Sequence, residues 1–291
     1  MDYSNFLLRH GEDLQVWVFF ICLGLFFGLE RLFPRRPRPA HGWPRWRTNL
    51  LLTTINVTAL GVVPVSFISG AAWAEQQAFG LLNWLPLPAW AAVTATLLLR
   101  GFISFFTHYL YHMVPLLWRL HRVHHLDTDL DISSTVRFHP LEMLTGPLIG
   151  LPLVIGLGLS PWVLLFYELL DAAVTLFSHC NLRLPASLNR WLRYWIVTPD
   201  LHRIHHSVRQ PETDSNFSAV FPVWDLVFGT FRPEPSAPPE LMALGLSELR
   251  DANTDRLGYL LRAPFLPAQP DRPASSLLDA VPSGEAGHQT G

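Results

Sequence analysis

Runs of apolar residues as long as a bilayer is thick constrain this chain before any other feature does. Lipid offers no hydrogen bonds, so a segment crossing it must satisfy its backbone internally, in a helix or a closed barrel. A helical span needs ~20 mostly apolar residues. Residues 14–33, 50–73 and 88–111 reach that length, and residues 144–180 are about twice as long. Gly158, Ser160 and Pro161 interrupt the long run near its middle, so it reads as a helical hairpin that returns to its starting side. The expected fold is all-α, an integral membrane helical bundle with a helical, histidine-rich cap. Charge content agrees: 15% of the residues are charged, where soluble domains carry about 25%. The first run lacks a basic start and ends in charge, which reads as a span and not a cleaved signal.

Arginine placement sets the expected orientation, because cytoplasmic loops are enriched in basic residues. Every basic residue outside the histidines is arginine. Arg31, at the end of the first run, and Arg35, Arg36, Arg38, Arg45 and Arg47 all fall in residues 31–49, whereas residues 74–87 contain no arginine. The loop 31–49 is therefore expected in the cytoplasm, and residues 74–87 outside. By alternation, residues 111–143 and everything after 181 share the cytoplasmic side. Four regions follow: an N-terminal transmembrane region with two spans over 1–87, a region over 88–231 that holds the third span, the hairpin and the polar cap, an amphipathic segment over 232–266 with a short helix at 241–261, and a disordered tail over 267–291. Cys22 and Cys180 are expected to remain unpaired. A net charge of −2 provides no field for nucleic acid.

Thirteen histidines are present, ten of them between His108 and His206. His108 and His112 are spaced i, i+4. His121, His124 and His125 are spaced i, i+3, i+4, and His202, His205 and His206 repeat that pattern. Residues three and four apart share a helix face, so each group is expected to aim its imidazoles at one spot. Neutral imidazole ligates iron, copper, nickel and zinc. Eight imidazoles exceed the needs of one ion and suit two, with about four nitrogens each. A lone histidine is ordinarily a packing or surface residue; two copies of His-x-x-His-His beside a pair point to metal.

Several segments resemble the fatty acid hydroxylase superfamily, whose membrane enzymes include sterol desaturases, and within it bacterial members of the sterol desaturase family. The resemblance covers residues 97–231. It rests on His-Tyr-Leu-Tyr-His at 108–112, Leu-Trp-Arg-Leu-His-Arg-Val-His-His at 117–125 and Arg-Phe-His-Pro-Leu-Glu at 137–142. It continues with Phe-Ser-His-Cys-Asn at 177–181, Thr-Pro-Asp-Leu-His-Arg-Ile-His-His at 198–206, Asp-Ser-Asn-Phe at 214–217 and Trp-Asp-Leu-Val-Phe-Gly-Thr-Phe at 224–231. The resemblance implies a non-haem di-iron centre that uses O2 and external electrons to hydroxylate or desaturate a lipid. Its implied ligands are His108, His112, His121, His124, His125, His179, His202, His205 and His206. His139 stands between a ligand and a structural residue. Asn181, Asp200, Asp214 and Asn216 are candidates for hydrogen bonds to ligating rings, with capping and turn formation as the alternative. Trp224, Phe228 and Phe231 read as packing residues.

The family's usual acid eight positions before the first histidine is replaced here by Arg100. Asp171 lies eight residues before His179. Intramembrane charges usually pair, so Arg100 and Asp171, together with Glu168, are expected to form a buried ion pair. Without a haem domain or a nucleotide fingerprint in the chain, electrons are expected from a separate ferredoxin or cytochrome b5-like protein. Arg119, Arg122, Arg203 and Arg209 are candidates for docking it. Localisation follows as a bacterial inner membrane, with the metals facing the cytoplasm. Zinc could replace iron in a purified sample. The alternative reading is a membrane metal-binding or transport protein without oxygenase activity.

Overall fold

The computed structural model describes residues 3–37, 42–61, 66–250 and 253–267. Among them the fold is all-helical, with two isolated β-bridges, Pro34 to Leu182 and Ser207 to Leu244. Helices α1 (Tyr3–Leu32), α5 (Ala89–Met113), α7 (Pro140–Leu157) and α8 (Pro161–His179) contain segments long and apolar enough to cross a membrane. Trp17, Phe20, Ile21 and Leu25 of α1 are exposed. In water such a surface would be a liability; in a bilayer it is the surface that lipid covers.

The second expected span, 50–73, differs from its expectation. It is built from two helices, α2 (Gly42–Gly61) and α3 (Phe67–Gln76), and neither qualifies as a span alone. Ser66 N-caps α3 through a capping box with Ser69, which starts a new helix there. The polar half of α2 is also committed elsewhere. Arg45, Thr48, Asn49 and Asn56 are buried, and Asn49 and Asn56 donate to Ser133 Oγ and the Phe138 carbonyl, both at 3.0 Å.

The long run at 144–180 does break where Gly158 and Pro161 stand. α7 ends at Gly158 in the left-handed conformation (φ 65°), and Pro161 opens α8. A side chain at Gly158 would lie 2.8 Å from Asn83 Nδ2 and 3.0 Å from the Phe79 carbonyl, so both the backbone angle and the space demand glycine. The turn packs beside Gly80, just before α4 (Leu81–Trp84). Within the bilayer helices gain little from hydrophobicity and associate by close packing at small residues. Gly150 of α7 accordingly receives the ring of Phe67. Ile68, Ala71, Ile103, Val154 and Leu164 pack in one cluster joining α3, α5, α7 and α8.

The opposite end of the bundle is a layer of short elements: α6 (Pro115–His125), a 3-10 turn over Ile132–Val136, α9 (Ala186–Leu192), α10 (Pro199–His205), α11 (Gln210–Thr213), α12 (Val223–Phe228) and α13 (Leu257–Arg262). Buried arginines stitch it together. Arg45 meets Asp127 at 2.6 Å and Asp131 at 2.8 Å. Arg137 donates to the Val123 and Thr254 carbonyls and to Asn49 Oδ1. The helix expected over 241–261 is restricted to α13. Residues before it run as turns, bonded through Val208 N to the Ala243 carbonyl and Gly245 N to the His206 carbonyl. Leu246, Leu249 and Leu260 pack with Leu52 and Val123, so this segment is part of the cap's core. The tail beyond 267 lies outside the described residues, as does Arg38. Cys22 and Cys180 are free.

Candidate metal centre

Four helices carry the histidines to one place. α5 ends with His108 and His112, and Val114 and Pro115 turn the chain directly into α6, bearing His121, His124 and His125. His179 is the last residue of α8. Thr198 caps α10 by accepting from Leu201 N, Pro199 occupies its first turn, and the helix delivers His202 and His205 with His206 at its C-cap. Nine imidazoles result, eight of them buried and His108 partly so.

They form two groups. His108, His112, His121, His125 and His205 place ligand nitrogens within 4.8 Å of one another, as do His124, His179, His202 and His206. The expectation that each His-x-x-His-His triplet serves one spot is therefore corrected. His121 and His125 face one focus while His124 faces the other; His202 and His206 face the second while His205 crosses to the first. Residues at i and i+4 share a face more closely than a residue at i+3 between them, so each helix bridges two foci.

Hydrogen bonds fix the proton on several rings. His108 Nδ1 lies 2.7 Å from the Phe217 carbonyl, His179 Nδ1 2.8 Å from that of Thr175, and His205 Nδ1 2.8 Å from that of Ser215. Carbonyls only accept, so these nitrogens carry hydrogen. His121 Nδ1 lies 2.6 Å from Glu142 Oε1 and His112 Nδ1 3.2 Å from Asp214 Oδ1. Each such bond leaves Nε2 as a bare lone pair aimed at its focus. His108 Nε2 and His121 Nε2 then sit 3.1 Å apart with no proton between them, and the buried Nε2 atoms of His112 and His205 have no partner. Converging lone pairs repel unless a cation lies among them, so the donor set fits metal. Burial, followed by the crowding of neighbouring imidazoles, holds His124, His125, His202 and His206 well below the usual histidine range. Burial pulls His205 down to about 3. Neutral imidazole is the form that ligates.

The other expected residues divide. Asp214 meets a ligand ring, His112. His139 joins neither group: its Nδ1 accepts from Leu141 N at the start of α7 and its Nε2 faces the Leu261 carbonyl, which is a cap. Asn181 bonds to the backbone of Arg36, Asp200 pairs with Arg35 at 2.6 Å, and Asn216, at φ 55°, joins the Leu201 and Arg232 carbonyls. None of these three touches an imidazole. Glu142 and the carbonyls of Thr175, Ser215 and Phe217 were not foreseen. Glu142 stands in Arg-Phe-His-Pro-Leu-Glu, where its place in the first turn of α7 was a usable signal; backbone carbonyls leave none. Arg122 and Arg203 are each 1% exposed, so of the four docking candidates only Arg119 and Arg209 reach the surface.

The Arg100 partner is also corrected. Its Nε meets Glu168 Oε1 at 2.7 Å and an adjacent nitrogen donates to Ser104 Oγ. Glu168 lies almost one helical turn before Asp171, which makes no such pair; its Oδ1 is buried without a hydrogen-bond partner. Beside the histidines opens a mostly apolar cavity of about 510 Å³, lined by His108, His121, His124, His179 and His202 at one end and by Arg100, Glu168 and Asp171 at the other.

Residues 93–230 match the description of the fatty acid hydroxylase family, and both histidine groups fall wholly inside that range. These residues are a fatty acid hydroxylase domain. The domain's relatives include ornithine lipid hydroxylase OlsE of Rhizobium tropici, 31% identical over 193 residues, or 64% of this chain and 57% of that protein. Human alkylglycerol monooxygenase is 26% identical over 66% of this chain and 43% of its own length. Methylsterol monooxygenase 2-2 of Arabidopsis thaliana is 28% identical over 55% of this chain and 61% of its own length. The chain thus spans about half of the curated relatives it matches. No solved structure matches significantly.

Proposed function

We propose that this fatty acid hydroxylase domain is a membrane-bound, non-haem di-iron oxygenase that hydroxylates or desaturates a C–H bond of a lipid. One observation carries the reading: two foci of inward-facing imidazole nitrogens form one end of an apolar cavity. The names of the relatives, a lipid hydroxylase and two monooxygenases, favour the same chemistry.

His108, His112, His121, His125 and His205 would hold one ion, and His124, His179, His202 and His206 the other. When bound, a pair of iron ions supplies the redox capacity to split O2 with two external electrons and two protons, one oxygen atom entering the C–H bond and the other leaving as water. The protein's own residues do the rest. Glu142, Asp214 and three backbone carbonyls lock the ring tautomers. Phe138 stacks on His124 at 4.5 Å between ring centroids and walls the site. Ile103, Met143 and Ala219 give the cavity an apolar lining that excludes water and accepts a hydrocarbon chain.

On this reading the centre lies at one membrane surface. Arg45 and Arg35 of the basic segment 31–49 pair with Asp127 and Asp200 in the same layer, which, with the positive-inside tendency, supports reading the metals on the cytoplasmic side of a bacterial inner membrane. A transport site would lie nearer the bilayer midplane. A ferredoxin or cytochrome b5-like carrier supplies electrons, with Arg119 and Arg209 free to meet its acidic surface. The test is anaerobic purification of the full chain, iron analysis, and O2 uptake with a chemical reductant and bacterial lipid extract. Two irons per chain, O2 consumption and a lipid 16 Da heavier or 2 Da lighter are expected. Bound metal that never consumes O2 would leave a binding or transport protein instead.

A further inference from the structure

The end of the cavity remote from the histidines is built from charges that the metal chemistry does not use. Arg100 is held by its neighbours: Glu168 and Ser104 accept from it, and the rings of Phe67 and Tyr167 each lie 5.1 Å from its guanidinium carbon. Asp171 lines the same cavity, and Oδ1 is buried there without a hydrogen-bond partner. One cation and two carboxylates leave one negative charge in excess, inside a helix pair long and apolar enough to cross a membrane. An unpaired acceptor in such surroundings is costly, and Asp171 lines the cavity.

We infer that Asp171 is the anchor of a lipid-binding subsite, and that the bound lipid presents it with a hydrogen-bond donor, a hydroxyl or an ammonium group. The Arg100–Glu168 pair fixes the floor of this subsite and leaves Asp171 Oδ1 without a hydrogen bond from Arg100. Asp171 and His179 are eight residues apart on α8, as are Arg100 and His108 on α5, so the anchor stands roughly 12 Å from the histidine layer at 1.5 Å per residue. The carbon offered to the metals is then the one about that distance along the chain from the donor group. This inference rests on reading the cavity as the substrate chamber, but its test requires no turnover.

Equilibrium binding of 1-dodecanol, dodecylamine and undecyl methyl ether to the full chain in phosphatidylcholine nanodiscs, corrected with protein-free discs, decides it. Alcohol and ether have the same number of heavy atoms; only the alcohol donates. A hydrogen bond to a charged acceptor corresponds to about tenfold to hundredfold in affinity. The alcohol and the amine are therefore expected to bind at least tenfold more tightly than the ether. Asp171→Leu is expected to erase that preference while retaining ether binding, and Asp171→Asn, which keeps a carbonyl acceptor, to preserve it for the alcohol. Equal affinity of alcohol and ether for the wild-type protein overturns the inference, as does a preference surviving in Asp171→Leu. Should Asp171→Leu fail to fold, the wild-type comparison decides alone. Donor preference without O2 consumption would sink the oxygenase and leave the subsite standing.

Discussion

Replacing Glu142 by glutamine should empty one metal position and spare the other. Glu142 Oε1 accepts from His121 Nδ1 at 2.6 Å, and the carboxylate is 7% exposed. His121 belongs to the five-histidine group and touches both His108 and His125 through Nε2, at 3.1 and 3.2 Å. The carboxylate orients the ring, fixes its proton on Nδ1 and raises the basicity of Nε2. Glutamine keeps the shape and an acceptor but removes the charge. A hydrogen bond to a charged group contributes ~1.5–3 kcal/mol, and loss of such an orienting partner typically weakens metal binding 10–100-fold. The affinity of the five-histidine position should fall by about that factor, whereas His124, His179, His202 and His206, which Glu142 does not touch, should keep theirs. Titrating iron into the metal-free chain against a competing chelator, with metal read by mass spectrometry, should resolve two equal steps in the wild type and one weakened step in Glu142→Gln. Equal weakening of both steps, or of neither, would refute the assignment of His121 and its carboxylate to one focus.

Other outcomes follow from the same geometry. His139→Ala should lower stability by about 1 kcal/mol, the usual worth of a helix N-cap, and leave metal content at the wild-type value; loss of one ion would make His139 a ligand after all. Asp127→Asn breaks the buried pair with Arg45, whose side chains are 2% and 6% exposed, and should destabilise the cap by ~3–5 kcal/mol, seen as a lower unfolding temperature in detergent. Acid should act on the metal-free protein through its histidines. His205 is pulled to about 3 and His124, His125, His202 and His206 lie well below 6.5, so between about 6.5 and 3 the unfolded chain binds more protons than the folded one. Stability should be level above pH 6.5 and fall steadily below it; a metal-free protein whose melting temperature rises on acidification would contradict the burial of these rings.

Much of the fold was legible because bilayer and helix impose simple rules. Length and apolarity marked α1, α5, α7 and α8, and Gly158 and Pro161 marked the turn between the last two. The second span was misread as one helix because hydropathy averages over α2 and α3; the polar residues of α2 are buried against the cap, and only tertiary neighbours such as Ser133 and Phe138 reveal it. The same blindness explains the segment at 241–261, where Leu246 and Leu249 serve a core formed with α2 and α6 from turns and only the last residues form a helix, α13. Arg122 and Arg203 carried every sequence mark of surface charge, yet sit inside the cap.

By itself the sequence located the candidate site. Histidine spacing on helices is local geometry, and local geometry survives in a linear string, so eight imidazoles could be named from spacing, and His179 was added by the family resemblance. Tertiary structure alone decided how they divide into five and four, since the foci arise where four helices meet and each triplet serves both. It alone decided which groups orient them, because backbone carbonyls look alike in every sequence. It also chose Glu168 over Asp171 for Arg100: the facing of two helices, a property of their packing, set which carboxylate came within reach and which was left open to the cavity.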